Sequence, residues 1–216
     1  VAKRNSAARY RIFNTNASSR QFDLGGAILL ADRDSHIWAP QSRSSENTHE
    51  WGYCFFLGGT NNQLFSSVGA VLTGATGDGL GVTGAGHEVF GLTLEDNRRQ
   101  GCSAFNASRL NFHHNIARKI GLRGMPDLAP KTLIGPFCGF DAEPDKGDAL
   151  DLNIHHNEFG ADCRSGAIFW INSNASAITP NMKLTGRFDD NFVTGCGNRF
   201  WSCREAGPVM AITIGA

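Results

Sequence analysis

The sequence predicts an all-β chain of stacked parallel coils, a β-solenoid with about 22 residues per coil. Three observations carry that prediction. Glycine supplies 26 of the 216 residues, and five of them open similar segments: WGYCFFLGG (51–59), DGLGVTGAG (78–86), QGCSAFNAS (100–108), CGFDAEPDK (138–146) and SGAIFWINS (165–173). A second family of alternating segments follows each of these: NNQLFSSVGA (61–70), HEVFGLTLEDN (87–97), SRLNFHHN (108–115), DLNIHHN (151–157) and MKLTGRFDDN (182–191). Helix signals are nearly absent, and only Ala2–Tyr10 and Asn115–Leu122 have the composition for a turn or two.

The first family sets the reference level. Gly52, Gly79, Gly101, Gly139 and Gly166 are followed one residue later by Tyr53, Leu80, Cys102, Phe140 and Ala167. Three residues later come Phe55, Val82, Ala104, Ala142 and Phe169. Both columns are apolar or nearly so, as a strand with one buried face requires. The glycines stand 27, 22, 38 and 27 residues apart, and the widest gap holds a Gly- and Pro-rich inserted loop at 121–136. In the second family Leu110, Phe112 and Asn115 reappear 42 residues later as Leu152, Ile154 and Asn157. A single coil cannot bury its inner face alone, and stacking makes the core continuous. Nine or ten coils at a strand spacing of about 4.8 Å would form a rod roughly 45 Å long. The reading is one domain over 1–216, with an irregular entry at 1–20. A β-sandwich would show hairpins at regular short spacing, not one sub-pattern recurring in register.

Composition removes other classes. Lysine plus arginine and aspartate plus glutamate number 20 each, so the net charge is zero and a general nucleic-acid surface is not expected. At 41% hydrophobic residues the chain is too apolar for disorder. No run approaches the roughly 18 apolar residues of a membrane helix, so no membrane insertion is expected. The start, VAKRNSAARYR, carries no signal-peptide apolar core. Either a leader was removed, or the protein leaves the cell another way, or it stays inside. The six cysteines form no CxxC pair, which argues against a zinc ribbon. A local Cys196–Cys203 disulfide and six buried thiols both remain open. Gly79, Gly81 and Gly84 have dinucleotide-loop spacing inside VLTGATGDGLGVTG, but AGHEVFGLTLED alternates like a strand where a helix is required. Those glycines are expected in turns and close stacking, with positive φ where needed.

The segments EWGYCFFLGG, GATGDGLGV, EDNRRQGCSAFNASRLNFHHN and CGFDAEPD…LDLNIHHNEF resemble the right-handed parallel β-helix proteins of the pectate-lyase-like superfold. Within it they are most similar to secreted polysaccharide-degrading enzymes and phage tailspike depolymerases. The resemblance covers about residues 20 to 200, and NRRQG at 97–101 followed by GFDAEP at 139–144 is its most specific part. It implies a right-handed single-stranded parallel β-helix, an extracellular or virion-surface location, and a polysaccharide partner. The superfold hosts lyases, hydrolases, epimerases and non-catalytic fibres, so activity must be argued from a site.

Alternation predicts that site. Glu50, Arg99, Asp141, Glu143, Phe105 and Trp170 are expected to face outward on neighbouring coils. Aromatic rings stack on pyranose faces, and paired carboxyls supply general acid and base. Asp141 and Glu143, two apart on one strand, lie roughly 6.5–7 Å apart at the backbone. That separation falls between the retaining and inverting geometries of glycosidases. Their structural alternative is solvation, or pairing with Arg99 and Arg164. Arg98 and Arg99 would serve an elimination reaction by neutralising a uronate, or form an ionic ladder with Glu95 and Asp96. Asp78 falls in a turn, where it bonds amides or joins the catalytic set. His113-His114 and His155-His156 recur at one strand position, and one of each pair should point out. Stacked polar residues on a solvent face is the leading account of them, with metal binding as the sharper one. Asn97, Asn115, Asn157 and Asn191 end the second strands as structural corner residues that tolerate the left-handed region and can stack in hydrogen-bonded ladders.

The expectation is therefore a polysaccharide hydrolase with Asp141 and Glu143 as catalytic carboxyls and Asp78, Arg99 and Glu50 as further candidates. Phe105, Trp170, Arg164, His113 and His155 would bind substrate. No metal or cofactor is assigned, although a divalent cation such as calcium would be compatible. The alternative is a non-enzymatic viral tail or fibre segment, or a glycan-binding adhesin. A solenoid leaves its terminal coils open to pairing, which homotrimerisation or flanking domains would cover.

Overall fold

A computed structural model describes residues 11–31, 52–122, 138–143, 150–160, 169–172, 184–193, 201–204 and 210–214. The strands in chain order are β1 (Arg11–Thr15), β2 (Gln21–Asp23), β3 (Ile28–Leu30), β4 (Tyr53–Leu57), β5 (Gln63–Thr73), β6 (Leu80–Ala85), β7 (Glu88–Glu95), β8 (Cys102–Ser108) and β9 (Leu110–His113). They continue with β10 (Ile116–Arg118), β11 (Phe140–Glu143), β12 (Leu150–His155), β13 (Glu158–Phe159), β14 (Phe169–Asn172), β15 (Leu184–Asp189), β16 (Phe192–Val193), β17 (Trp201–Arg204) and β18 (Met210–Ile214). Among the described residues there is no helix. The fold is all-β.

Two sheets contain all of these strands. The first has the order β1-β4-β6-β8-β11-β14-β17. The second runs β16-β13-β10-β7-β9-β12-β15-β18, with β5 joining β7 to β2 and β3. Every pairing between strands is parallel. Parallel neighbours cannot be joined by a tight turn. Here the chain leaves each strand of the first sheet, passes through the second sheet, and returns beside the strand it left.

The register places Phe13, Phe55, Leu80, Cys102, Phe140, Phe169 and Trp201 in one row, separated by 42, 25, 22, 38, 29 and 32 residues. The expected base period of about 22 residues is the return from Leu80 to Cys102, and the longer returns carry the expected insertions. Gly79, Gly101 and Gly139 share a level as expected. Gly52 is two residues out of it, because Phe55 rather than Tyr53 pairs Leu80; Gly166 and Ala167 lie outside the described residues, and Phe169 pairs Phe140. The in-register glycines are needed for space, since none of the three has a positive φ. A Cβ on Gly101 would stand 2.6 Å from the carbonyl oxygen of Gly139, and one on Gly139 would stand 2.6 Å from the Phe159 ring.

The core lies between the sheets. Leu57, Val82, Ala104 and Ala142 from the first sheet face Leu64, Val89, Phe112 and Ile154 from the second, all buried. Phe112 and Phe140 meet edge to face at 5.0 Å across the interior. Each such side chain contributes about 1.5–3 kcal/mol through burial.

Three local expectations are corrected. Arg11–Thr15 is a strand pairing β4, inside the stretch expected to be irregular. Ile116–Arg118 is also a strand, where a helical turn was expected, because its backbone pairs both β7 and β13. The corner asparagines are not themselves left-handed. The residue before each one is: Asp96, His114, His156 and Asp190 have φ of 50°, 53°, 53° and 51°. That twist turns the following asparagine inward, where it bonds the layers together. Leu92 N–H donates to Asn115 Oδ1 at 3.1 Å, while Asn115 Nδ2 donates to Val89 O at 3.0 Å. Asn115 N–H in turn donates to Asn157 Oδ1, and Asn157 N–H to Asn191 Oδ1, at 2.9 and 3.0 Å.

Candidate functional site

Four of the residues expected at the site come together on three successive strands of the first sheet. Asp78 precedes β6, Arg99 precedes β8, and Asp141 and Glu143 lie on β11, which pairs β8. Asp78 Oδ1 accepts the backbone N–H of Gln100 at 3.1 Å, so its amide-bonding role joins one layer to the next. Arg99 Nη1 lies 4.0 Å from the same oxygen. Gln100 then reaches the following layer, its Nε2 donating to Asp141 Oδ2 at 2.9 Å. Gln100 was not singled out in the sequence, although it belongs to the NRRQG run.

The expected outward, solvated patch is corrected at its centre: Asp141 is 0% exposed. Alternation places it on the outer face correctly, but that face is covered at this point. Ser103, its register partner, and Phe56 are buried as well. Burial pushes the Asp141 carboxyl well above its ordinary range. The charge of Glu143, and a hydrogen bond that the protonated Asp141 carboxyl donates to it, raise it further, Arg99 pulls it down, and Asp78 adds a smaller rise. Asp141 Oδ1 and Gln100 Oε1 have no hydrogen-bond donor among the described residues. Glu143 is half-buried and is the carboxyl of the pair that reaches the surface.

The ionic ladder considered for Arg98 and Arg99 does not form with Glu95, which instead accepts from Lys119 Nζ at 2.6 Å and Arg118 Nη2 at 3.1 Å. Arg98 is fully buried, and its Nε donates to Thr76 O. Cys102 and Cys138, also buried beside the carboxyls, have their thiols pushed up by burial first and by Asp78 and Asp141 next. They therefore stay protonated and unreactive.

Phe105 stands in register with Glu143 and belongs to an aromatic group with Tyr53 and Phe56, at ring distances of 6.3 and 5.6 Å. Sequence reasoning placed Tyr53 inside and Cys54 outside, and both are corrected. The N–H groups of Cys54 and Phe55 both donate to Gly79 O, at 3.1 and 3.2 Å, two residues against one. This interrupts the alternation. Cys54 enters the core, and the Tyr53 ring crosses the outer face over Gly81. Arg11 covers Phe56, its guanidinium carbon 3.5 Å from the ring centre.

Glu50 and Arg164 lie outside the described residues, as does the side chain of Trp170, whose backbone pairs Asp141. Cys163, Cys196 and the side chain of Cys203 lie outside them too, while Cys102 and Cys138 are buried free thiols and the Cys54 Sγ lies 3.2 Å from Thr73 O. The glycine-rich Leu80–Ala85 segment is β6, with no helix after it to hold a pyrophosphate.

His113 and His155 are not near the carboxyls. They lie on the second sheet, in the row Phe65, Phe90, His113, His155, Asp189. Their rings continue one stack, with centres 5.0 Å apart at every step from Phe65 to His155. Beside it runs a polar row in which Gln21 donates to Gln63, Gln63 to Glu88, Asn111 to Glu88 and Asn153 to Asn111. Both histidines of each pair lie on the outer face, correcting the expectation of one, because left-handed His114 and His156 break the alternation. No protein-family model, curated protein or solved structure matches this chain.

Proposed function

We propose that the two parallel sheets are walls of a right-handed single-stranded β-helix of the pectate-lyase-like type, and that it hydrolyses an extracellular or capsular polysaccharide. The observation that carries the chemistry is the Asp141–Glu143 pair: one fully buried carboxyl whose affinity for protons is raised, beside a second that reaches the surface. Hydrolysis of a glycosidic bond needs one carboxyl protonated and one ionised. Glu143, the carboxyl at the surface, protonates the departing sugar oxygen as the C1–O bond breaks, water adds at C1, and the proton that this water releases restores the acid. Asp141, held by Gln100, is the second carboxyl of the pair, and the charge of Arg99 favours its ionised form. Phe105, in register with Glu143, offers an aromatic face for a pyranose ring.

The test is incubation of the full chain with acidic and neutral polysaccharides, reading new reducing ends and the ultraviolet absorbance of unsaturated ends. Reducing ends without unsaturation support hydrolysis, and unsaturated ends would replace it with elimination. Glu143→Gln should lower kcat by about 10²-fold or more. Full cleavage by both Glu143→Gln and Asp141→Asn would overturn the site. The enclosure of Asp141 favours one other reading, a non-catalytic tail, fibre or adhesin segment in which the acid is an internal structural pair. A trimeric mass in solution with no cleavage of any polymer would select it.

A further inference from the structure

The four histidines of the second sheet form a built cluster that the polysaccharide reading does not use. His113 stacks on His155 at 5.0 Å and His114 on His156 at 5.1 Å, with interplanar angles of 12° and 9°. Within each layer the two Nδ1 atoms stand 2.8 Å apart. The outer nitrogens of the strand histidines are engaged. His113 Nε2 meets Glu88 Oε1 at 3.1 Å, and His155 Nε2 meets Asn111 Oδ1 at 2.9 Å. Both partners are oxygen acceptors, so the network assigns the ring proton to Nε2 and leaves an Nδ1 lone pair directed at the neighbouring histidine. A carboxylate or amide oxygen holding the far N–H of an imidazole is the support that metal-ligating histidines use.

We propose that this cluster is a binding site for one divalent transition-metal ion of the copper(II) or nickel(II) class, chelated by the paired Nδ1 atoms of one layer. In the metal-free state the 2.8 Å contact is an N–H···N bond whose proton is carried by His114 or His156. Binding moves that proton to the exposed Nε2 of the same ring, and the two rings tilt so that both Nδ1 lone pairs meet the ion beside the line that the proton occupied. At metal–nitrogen bonds of about 2.0–2.1 Å, a 2.8 Å separation subtends roughly 85–90° at the metal. That angle is the adjacent-ligand angle of square-planar and octahedral ions, and it is narrow for tetrahedral zinc. Among the described residues no three ligating side chains converge on one point, so solvent completes the coordination. The next layer carries Asp190, with Oδ2 3.9 Å from His156 Nε2, and its charge favours a cation. Repulsion between two dications about 5 Å apart weakens binding at the second layer, so the titration reads the first ion.

The experiment is calorimetric titration of the full chain with copper(II) sulfate alone, together with electron paramagnetic resonance of the frozen complex. One ion per chain with hyperfine splitting from two imidazole nitrogens is the expected result, with zinc weaker than copper. The double variant His114→Asn, His156→Asn keeps the left-handed backbone that asparagine tolerates, and it should bind copper at least about tenfold more weakly. The control His36→Asn, His49→Asn should bind as the parent does. Absence of saturable binding, absence of imidazole nitrogen from the spectrum, or equal affinity in the His114/His156 variant would each overturn the site. Circular dichroism of both variants establishes that the comparison is made between folded proteins. Cleavage of polysaccharide plays no part in this test.

Discussion

The outer faces of the two sheets are built on opposite principles. On the second sheet like stacks on like: Phe65 on Phe90, His113 on His155, and an amide or carboxyl row beside them. Most rungs bond the next while the face stays half-exposed, and its unmatched buried oxygens, Asn153 Oδ1 and Asp189 Oδ1, lie toward the later layers. On the first sheet the register partners differ from layer to layer, as in Phe56, Gly81, Ser103 and Asp141. That face is enclosed, it contains carboxyls and a guanidinium, and it leaves Asp141 Oδ1 and Gln100 Oε1 without donors among the described residues. A repeating face gains the same ring stacking and amide bonding at each layer. A non-repeating face with buried unmatched oxygens requires a separate explanation, and proton handling supplies one.

The largest expected effect tests the self-satisfying corner of the second sheet. Asn115→Ala removes acceptor and donor groups from Leu92, Val89 and Asn157 at once, inside the protein. Chemical denaturation should show a loss of about 3 kcal/mol or more, since each stranded buried group costs about 1–3 kcal/mol. A loss below about 1 kcal/mol would mean that the layers do not depend on the asparagine row.

An intermediate effect tests the first sheet. The Asp141 carboxyl is raised in the folded protein, so its contribution to stability is complete below its ordinary value near 3.8 and is lost as pH rises through the raised value. The difference in unfolding free energy between the parent and Asp141→Asn should therefore shift toward the variant with rising pH, by at most about 1.4 kcal/mol per pH unit. A difference that is flat with pH would place the carboxyl in an ordinary environment. The smallest effect belongs to the exposed trio around Glu95, whose carboxyl is lowered first by Lys119. Its contribution is present above the ordinary carboxylate range and disappears as pH falls. Lys119→Asn, which suits the left-handed φ of 55° there, should cost less than about 1 kcal/mol and nothing measurable at high salt.

Much of this was legible in the sequence. Gly139 set the alternation of β11 correctly, with Phe140 and Ala142 inside and Asp141 on the other face between them. The 42-residue match of Leu110 and Phe112 to Leu152 and Ile154 is the observed register. Strict alternation fails where the backbone departs from it: at Cys54, where two residues oppose one, and at His114 and His156, where φ is positive. The departure at Cys54 has no residue signature of its own, whereas the one at His114 and His156 had a weak one, since histidine, like Asp96 and Asp190 at the same corner, is enriched in the left-handed region. The enclosure of Asp141 was invisible for another reason. Period-two patterning says which way a side chain points, and only the packed chain says what lies over it.

The uneven spacing of the stacked rows has a consequence for how such a chain can change. Between Leu80 and Cys102 the return takes 22 residues, and between Cys102 and Phe140 it takes 38, yet both arrive in the same register. Ladder geometry is thus decoupled from chain length. Residues can be added or removed at a corner without shifting any row above or below it, so surface loops can be exchanged independently of the rungs that carry them.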